Sequence, residues 1–296
     1  MSRRPVEWPT LAMLAGTYAL WALATTWAAA LWLPFGMALA MLAIAQHSSL
    51  SHEVLHGHPF RNRHLNEMLV FPCLGLFVPY GRFRDLHLAH HQDSLLTDPY
   101  DDPESNYMDP AVWSRLPRPL RAVLMFNNTL LGRMVVGPLV GQIMFMHADW
   151  RSIRAGDRGA LAGWLWHVPA VIPVLIWVQY AAMPLWAYVV CAYGGLSILK
   201  IRTFLEHRAH ERCSGRTVVI EDRGPLALMF LNNNYHVVHH MHPQEPWYRL
   251  PQVYARNRGH YLRRNDDYVY TNYAQIFRRY FLRAKDPVPH PHWTRD

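Results

Sequence analysis

Three short histidine patterns are the parts of this sequence whose residue types and spacing best suit chemistry. They are HEVLH at residues 52–56, HLAHH at 87–91 and HVVHH at 236–240. On an α-helix, side chains three or four residues apart lie on the same face, so each pattern presents two or three imidazoles in one direction. Since a 296-residue chain with 19 histidines would contain roughly 0.08 HxxHH matches by chance, the two matches found here predict a metal site.

The number of imidazoles narrows the kind of metal site. Imidazole binds zinc, copper, iron and nickel, but a structural zinc takes four ligands and a catalytic zinc three with a water. Soluble di-iron proteins use four glutamates, two of them in Glu-x-x-His pairs, and only Glu53 with His56 stands out as such a pair. A two-metal site with coordination positions open to O₂ fits better, with eight candidate ligands: His52, His56, His87, His90, His91, His236, His239 and His240.

Two long uncharged runs indicate the elements that must hold these histidines. Neither the run from Trp8 to His52 nor the run from Gly159 to Leu199 contains Asp, Glu, Lys or Arg. One bilayer crossing needs about 20 residues, so each run can cross twice. Each also has a break near its middle, at Pro34 with Gly36 and at Pro184. The pattern predicts an all-α integral membrane fold with four transmembrane helices in two hairpins, at 11–30 with 35–50 and at 161–180 with 185–201.

Composition and charge support a membrane protein. Only 17% of the residues are charged, against about a quarter in soluble proteins, so a soluble protein with buried core helices is disfavoured. The net charge of +8 comes from arginines that flank the apolar segments, which favours a membrane surface over nucleic acid as the partner. The hairpin tips carry no Lys or Arg, so the positive-inside rule places both termini and the polar sections in the cytoplasm.

The polar sections are expected to form a helical cap on the cytoplasmic side. The cap comprises residues 52–158 and 202–296, and the whole chain, 1–296, is interpreted as one domain. Within the cap, the apolar stretch 68–80 is too short to span and is expected to be interfacial or re-entrant. Residues 122–146 are expected to be amphipathic and to lie on the membrane, and residues 98–110 to form a loop.

The order and surroundings of the three patterns resemble the histidine boxes of the membrane fatty acid desaturase family, which has bacterial members. The run NNNYHVVHHMHP, residues 232–243, is similar to the surroundings of that family's third box. The resemblance implies a multi-pass protein of the bacterial inner membrane with a cytosolic di-iron cap, in which all eight histidines are ligands. It adds His207 in FLEHRAH as a ninth ligand. In some members an asparagine four residues before that ligand holds a metal-bound water, and Thr203 occupies this position here.

The implied chemistry is O₂-dependent oxidation of an aliphatic carbon by two iron ions. Metal-bound imidazoles usually donate their other ring N–H to a carboxylate or carbonyl, and the expected acceptors are Glu53, Asp85, Asp93 and Glu206. The substrate expected from the family is an acyl lipid or a related amphiphile, which would be desaturated. The alternative is a hydroxylase or oxygenase of the same di-iron type that acts on a small hydrophobic or amphiphilic metabolite.

Electrons must come from outside the chain, since it has no haem-binding cytochrome b5 motif, dinucleotide fingerprint or cysteine set for an iron–sulfur cluster. A separate carrier such as a ferredoxin is expected to dock on the basic cytoplasmic face. A histidine-rich metal transporter is the remaining alternative. It is disfavoured because transporters place ligands and carboxylates near the middle of their spanning helices, and both uncharged runs lack carboxylates.

Overall fold

The computed structural model of the chain describes residues 6–293, without the side chain of Asp93. The mostly helical fold expected from the sequence is confirmed. A π-helical stretch, Ala24–Ala28, joins the first two helices, and short 3₁₀ helices lie at Asp93–Leu95 and Cys213–Arg216. Two short strands, Val219–Ile220 and Val269–Tyr270, pair in parallel. The α-helices among the described residues are Trp8–Leu23, Ala29–Leu31, Leu33–Leu55, Arg63–Leu69, Tyr80–His90, Pro110–Arg115, Arg118–Asn127, Leu130–Val135, Gly137–Arg154, Arg158–Tyr180, Leu185–Thr203, Pro225–Met229, His236–Met241, Leu250–Arg256, Arg258–Arg264 and Tyr273–Tyr280.

The chain forms two compact units. The first unit combines the chain up to Arg84 with Leu139–Leu199, and the second combines Asp85–Pro138 with the chain from Lys200 onward. The first unit therefore contains the two uncharged runs and the first histidine box. The second contains the other two boxes and His207.

Helices occupy all four positions at which membrane-spanning helices were expected. Among the described residues, three are long and apolar enough to cross a membrane: Trp8–Leu31, Leu33–Leu55 and Arg158–Tyr180. The fourth helix, Leu185–Thr203, has 19 residues but is not one of those three. The helix Leu33–Leu55 is longer than expected because it continues past the first charge of the sequence after Glu7, which is Glu53, and carries the first box at its end.

Close packing and buried hydrogen bonds hold the first unit together. The backbone is extended at Trp32, and the next helix starts with Pro34 in its first turn, where proline costs no hydrogen bond. A Cβ atom on Gly36 would lie 2.6 Å from the backbone nitrogen of Ala29, so only glycine permits this approach of the two helices. Trp21 donates its indole N–H to the Tyr188 hydroxyl at 2.9 Å, and Tyr188 donates in turn to the Leu74 carbonyl at 2.8 Å.

The two apolar stretches of the middle section have different structures. Residues 70–79 are irregular backbone between two helices, and Leu74 within them is fully buried. Residues 122–146 fall into three successive helices, and their position relative to a membrane stays a prediction. The loop expected at 98–110 contains no helix until Pro110.

One buried ion pair fixes the helix that leads to the second box. Arg82 of Tyr80–His90 binds Asp149 through two hydrogen bonds, with Nη2 to Oδ1 at 2.8 Å and Nε to Oδ2 at 3.0 Å. Trp164 donates to the same carboxylate at 2.8 Å. The two side chains are only 9% and 3% exposed, so this bidentate pair ties three helices together.

Candidate metal centre

The second histidine box is the last turn of a helix. Tyr80–His90 carries His87 and His90, and the amide of His91 still donates to the His87 carbonyl at 3.1 Å. The helical turn therefore extends through the whole box, as its spacing requires. His87 and His90 are each 2% exposed.

The third box lies on a short helix whose other face is apolar. His236–Met241 follows a turn in which Leu231 and Asn232 have positive φ angles of 49° and 55°. Val237 and Val238 are 1% and 0% exposed and belong to the apolar core of the second unit. Burial of the two valines leaves the three imidazoles on the remaining faces of the helix, because residues three and four apart share a face.

Seven histidines of the second unit form two groups. In the first group, His91 Nε2 lies 3.0 Å from His87 Nε2 and 3.1 Å from His239 Nε2. In the second group, which consists of His90, His207, His236 and His240, the potential ligand atoms all lie within 4.8 Å of one another. The structure thus brings the second and third boxes together with His207.

His207 lies at the centre of the second group. Its Nε2 atom is 2.8 Å from His90 Nε2 and 3.0 Å from His236 Nε2. The His240 ring centroid is 5.1 Å from that of His207. Thr203 is the last residue of its helix, four residues before His207.

The first box lies in the first unit. His52 is in the last turn of Leu33–Leu55, and His56 follows the end of that helix. Their ring centroids are 5.0 Å apart, and His52 is 4% exposed. The two imidazoles therefore sit side by side, as the HxxxH spacing predicts.

Two carboxylates that were not among the sequence candidates lie behind the second box. Asp102 Oδ1 is 2.7 Å from His90 Nδ1, and Glu104 Oε1 is 2.8 Å from His87 Nδ1. A carboxylate only accepts, so each imidazole donates its Nδ1–H and directs its Nε2 atom into the histidine group. Sequence reasoning treated these two residues only as part of a loop.

Of the sequence candidates, Glu206 lies beside His236 in the second unit. Its Oε1 atom is 3.8 Å from His236 Nδ1. Asn233 connects them, because its side-chain amide donates to Glu206 at 2.9 Å and its carbonyl oxygen lies 3.2 Å from His236 Nδ1. Arg202 Nε also lies 3.1 Å from Glu206. Burial raises the pKa of the Glu206 carboxyl above its ordinary value, although the charge of Arg202 opposes this.

The other three candidate carboxylates have different positions. Glu53 belongs to a buried group of the first unit in which His58 Nε2 is 3.9 Å from Glu53 and His58 Nδ1 is 2.8 Å from Glu7. Asp85 is exposed on Tyr80–His90. The side chain of Asp93 lies outside the described residues.

Burial and neighbouring charges shift the pKa values of the second group in different directions. Burial and the neighbouring imidazolium charges hold the pKa values of His207 and His236 well below the ordinary range, so both are neutral and can act as ligands. Burial lowers the pKa of His90, but Glu104 and Asp102 outweigh it and raise this pKa to about 9. Burial raises the pKa of Glu104, yet the charges of His87 and His90 bring it below its ordinary value.

The donor set fits metal ions of the borderline class. Several Nε2 atoms converge at distances of 2.8–3.1 Å, and three of the rings have their Nδ1 atoms occupied by Asp102, Glu104 and Asn233. A cluster of imidazole lone pairs backed by carboxylates is the arrangement that binds iron, zinc or copper.

Comparison with known proteins gives a family match over most of the chain. The model of the family described as "Fatty acid desaturase" matches residues 25–272. A β-carotene ketolase from Paracoccus sp. strain N81106 / MBIC 01143 is 25% identical over 227 residues, and one from Paracoccus sp. strain PC1 is 26% identical over 231 residues. Each alignment covers 75% of this chain and 75% of the relative.

Proposed function

Because the chain belongs to the fatty acid desaturase family, we propose that it uses O₂ to introduce a double bond into the aliphatic part of an acyl lipid or a related amphiphile. It is an oxidoreductase of the membrane di-iron type, and the choice of desaturation and of an acyl substrate rests on the family match. The observation that supports a metal-dependent oxidation is the clustering of three imidazole nitrogens, with His207 Nε2 lying 2.8 Å from His90 Nε2 and 3.0 Å from His236 Nε2.

We propose that two iron ions are bound by nine histidines. Iron bound there would activate O₂, which is the oxidant for removal of hydrogen from an unactivated carbon. The proposed ligands, of which His52 and His56 rest on their spacing and on the family resemblance, are His52, His56, His87, His90, His91, His207, His236, His239 and His240.

The chain's own residues keep those ligands in the correct form. Asp102 and Glu104 hold the Nδ1–H tautomers of His90 and His87, so the Nε2 atoms stay available to the metal. The burial of His236 and His239, at 1% and 4% exposure, keeps bulk water away from the reacting position. Which carbon of the substrate reacts then depends on how the protein places it.

The membrane arrangement is part of the proposal. The helices Trp8–Leu31, Leu33–Leu55, Arg158–Tyr180 and Leu185–Thr203 would all cross the membrane of a bacterium, in two hairpins of a single domain. The distribution of Lys and Arg supports cytoplasmic termini and a cytoplasmic metal centre. A separate electron carrier such as a ferredoxin would supply the electrons, since the sequence carries no motif for a redox cofactor that could deliver them.

Oxygen insertion is the second candidate reaction. Both Paracoccus relatives are named for a carotenoid and a ketone-forming activity, which favours an oxygenase that acts on a hydrophobic substrate in the membrane. Desaturation and oxygenation share the removal of the first hydrogen and differ in the fate of the carbon after that step, so they must be separated by their products. Membership of an oxidoreductase family leaves the metal transporter without support.

The decisive experiment measures metal content and products together. The protein is purified in mild detergent from iron-replete cells and supplied with O₂, NADPH, ferredoxin and its reductase, with acyl lipid or β-carotene as substrate. About two irons per chain are expected, and mass spectrometry shows loss of two hydrogens for desaturation or gain of oxygen for oxygenation. His239→Ala should lower the iron content and abolish product formation, whereas His260→Ala, which changes an exposed histidine, should do neither.

The outcomes separate the candidates. Oxygen-containing products alone would replace the desaturase by the oxygenase. One metal or none per chain, with no gain after anaerobic addition of Fe²⁺, would overturn the whole di-iron proposal.

A further inference from the structure

The residues after the last helix contact the metal centre although they lie beyond the family match. The match ends at residue 272, and residues 281–293, here called the C-terminal segment, follow the helix Tyr273–Tyr280. This segment forms backbone hydrogen bonds with three other parts of the second unit. Leu131 donates to the Phe281 carbonyl at 3.0 Å, Lys285 donates to the Asn128 carbonyl at 3.1 Å, and Met108 donates to the Val288 carbonyl at 3.0 Å.

Lys285 and Asp286 hold the backbone around His207. The Lys285 ammonium donates to the His207 carbonyl oxygen, and its side chain is only 11% exposed. Asp286 accepts a hydrogen bond from the Tyr107 hydroxyl, and that hydroxyl accepts one from the Ala209 amide at 2.7 Å. Two links therefore join the C-terminal segment to the stretch 207–209, one through Lys285 and one through Asp286.

His290 reaches the carboxylate behind His90 through Thr97. His290 Nε2 lies 3.1 Å from the Thr97 hydroxyl, and the Thr97 amide donates to Asp102 Oδ2 at 2.8 Å. The other oxygen of Asp102 accepts the Nδ1–H of His90. The chain of contacts thus runs from a buried histidine, 5% exposed, to a proposed metal ligand.

Thr97 needs this support because its backbone is strained. Its φ angle is +70°, a region that is costly for a β-branched residue. Its amide and its hydroxyl are both engaged, by Asp102 and His290. Asp102 belongs to the loop that follows Thr97, whereas the contact with His290 comes from the C-terminal segment.

We infer that the C-terminal segment positions two ligands of the metal centre, His207 directly through Lys285 and His90 through His290. This inference rests on the proposed function, because it takes both histidines to be metal ligands. His90 Nε2 and His207 Nε2 are 2.8 Å apart, so Lys285 and His290 both act on the second histidine group. Lys285 and His290 are positioning residues, since Lys285 contacts the backbone carbonyl of His207 and His290 contacts Thr97, rather than any metal-binding nitrogen.

The test uses the full-length protein with Co²⁺ as the probe, since its visible absorption reports ligand geometry. Lys285→Met removes the hydrogen bond to the His207 carbonyl. His290→Phe removes the contact with the Thr97 hydroxyl while keeping an aromatic ring. The matched controls are Arg283→Met and His292→Phe, which change exposed residues of the same segment. Hydrogen exchange of the metal-free protein gives a second readout that needs no metal.

We expect each variant to bind Co²⁺ about 10-fold more weakly, with shifted absorption bands, because partners of metal ligands typically change affinity by 10- to 100-fold. Amides at 97–109 and 207–209 should exchange faster in both variants, and Lys285→Arg should recover part of the affinity. Variants that match their controls in both readouts would overturn the inference. If Lys285→Met does not fold, His290→Phe decides alone.

The outcomes also separate this inference from the proposed function. If the wild-type protein binds Co²⁺ at two sites but shows no O₂-dependent activity, the proposed function fails and the affinities still decide the positioning role. If it binds no metal, the proposed function and the positioning of metal ligands fall together, whatever the exchange rates.

Discussion

Replacement of Asp102 by asparagine should weaken the second histidine group selectively. Asp102 accepts three hydrogen bonds, from His90 Nδ1 at 2.7 Å, from the Glu104 amide at 2.9 Å and from the Thr97 amide at 2.8 Å. Its side chain is 2% exposed, so water cannot replace a lost partner. Asparagine has nearly the same shape but only one accepting oxygen.

The asparagine cannot satisfy its neighbours in either orientation. With its amino group toward His90, the ring must adopt the Nε2–H tautomer, which puts a proton on the atom that lies 2.8 Å from His207 Nε2. With the amino group toward Thr97, two donors face each other and the loop must move. In the first orientation, His90 therefore loses its metal-binding nitrogen. In the second, the loop that holds His90 is displaced.

The expected loss follows from the hydrogen bond to His90. A hydrogen bond to a charged group contributes about 1.5–3 kcal/mol, and tenfold in a binding constant corresponds to about 1.4 kcal/mol. We therefore expect metal binding by the group of His90 and His207 to weaken about 10- to 100-fold, the range typical of such partners.

The assay is anaerobic equilibrium dialysis with Fe²⁺, followed by elemental analysis of iron per chain. At iron concentrations that just saturate the wild-type protein, Asp102→Asn should retain about one iron per chain, because only one of the two groups loses its support. Asp101→Asn is the matched control, since Asp101 is the exposed neighbour. Equal dissociation constants for the two variants would show that the carboxylate behind His90 does not support the ligand.

Three further changes test other contacts. Glu104→Gln should also weaken metal binding by dialysis, but less than Asp102→Asn, because the Glu104 side chain is 30% exposed and water can replace part of the contact with His87; an equal or larger loss would contradict this. Arg82→Met should destabilise the protein by about 3–5 kcal/mol, the cost of a buried charge left without its partner, and thermal unfolding in detergent should show recovery when Asp149→Leu is added. Glu7→Gln removes the charge beside His58, 2.8 Å away, and should speed proteolysis of the first helix in a limited-digestion time course; unchanged cleavage would show that the pair does not hold the helix.

The sequence predicts the histidine boxes well but not how they divide between the two groups. The i, i+3 and i+4 spacing is a local property of a helix, so it can be read from a few residues. His90 and His91 are adjacent in the second box, yet they lie in different groups, and so do His239 and His240. This division depends on how the two boxes approach each other, which is a long-range feature that no local spacing encodes.

The carboxylates behind the boxes could not be selected from the sequence for a related reason. The stretch DPYDDPESNYMDP contains Asp98, Asp101, Asp102, Glu104 and Asp109, and composition gives no reason to prefer two of them. The selection is made by the loop conformation, which includes the positive φ of Thr97. An acidic loop close after a histidine box was the available signal, and it identifies a region rather than a residue.

Helix positions were predictable from charge because charged residues are costly inside a membrane, whereas helix ends were not. The helix Arg158–Tyr180 starts three residues before the predicted 161–180, where the Asp157 side chain accepts from the Ala160 amide at 3.0 Å. Such a cap depends on a single hydrogen bond. A prediction based only on the length of an uncharged run does not take this cap into account. The predicted start of the helix is therefore too late.

The contacts that support the metal centre become less local with each step away from the ligands. Histidines of one box are at most four residues apart, the carboxylates follow their histidines by 12 and 17 residues, and His290 lies 193 residues from Thr97. The family match over 25–272 spans the residues of the first two of these contacts and ends before His290. Relatives that share all three boxes can therefore differ in how firmly His90 and His207 are held, and their metal affinity would then follow the C-terminal segment rather than the boxes. Exchange of this segment between two such relatives would be expected to transfer the difference.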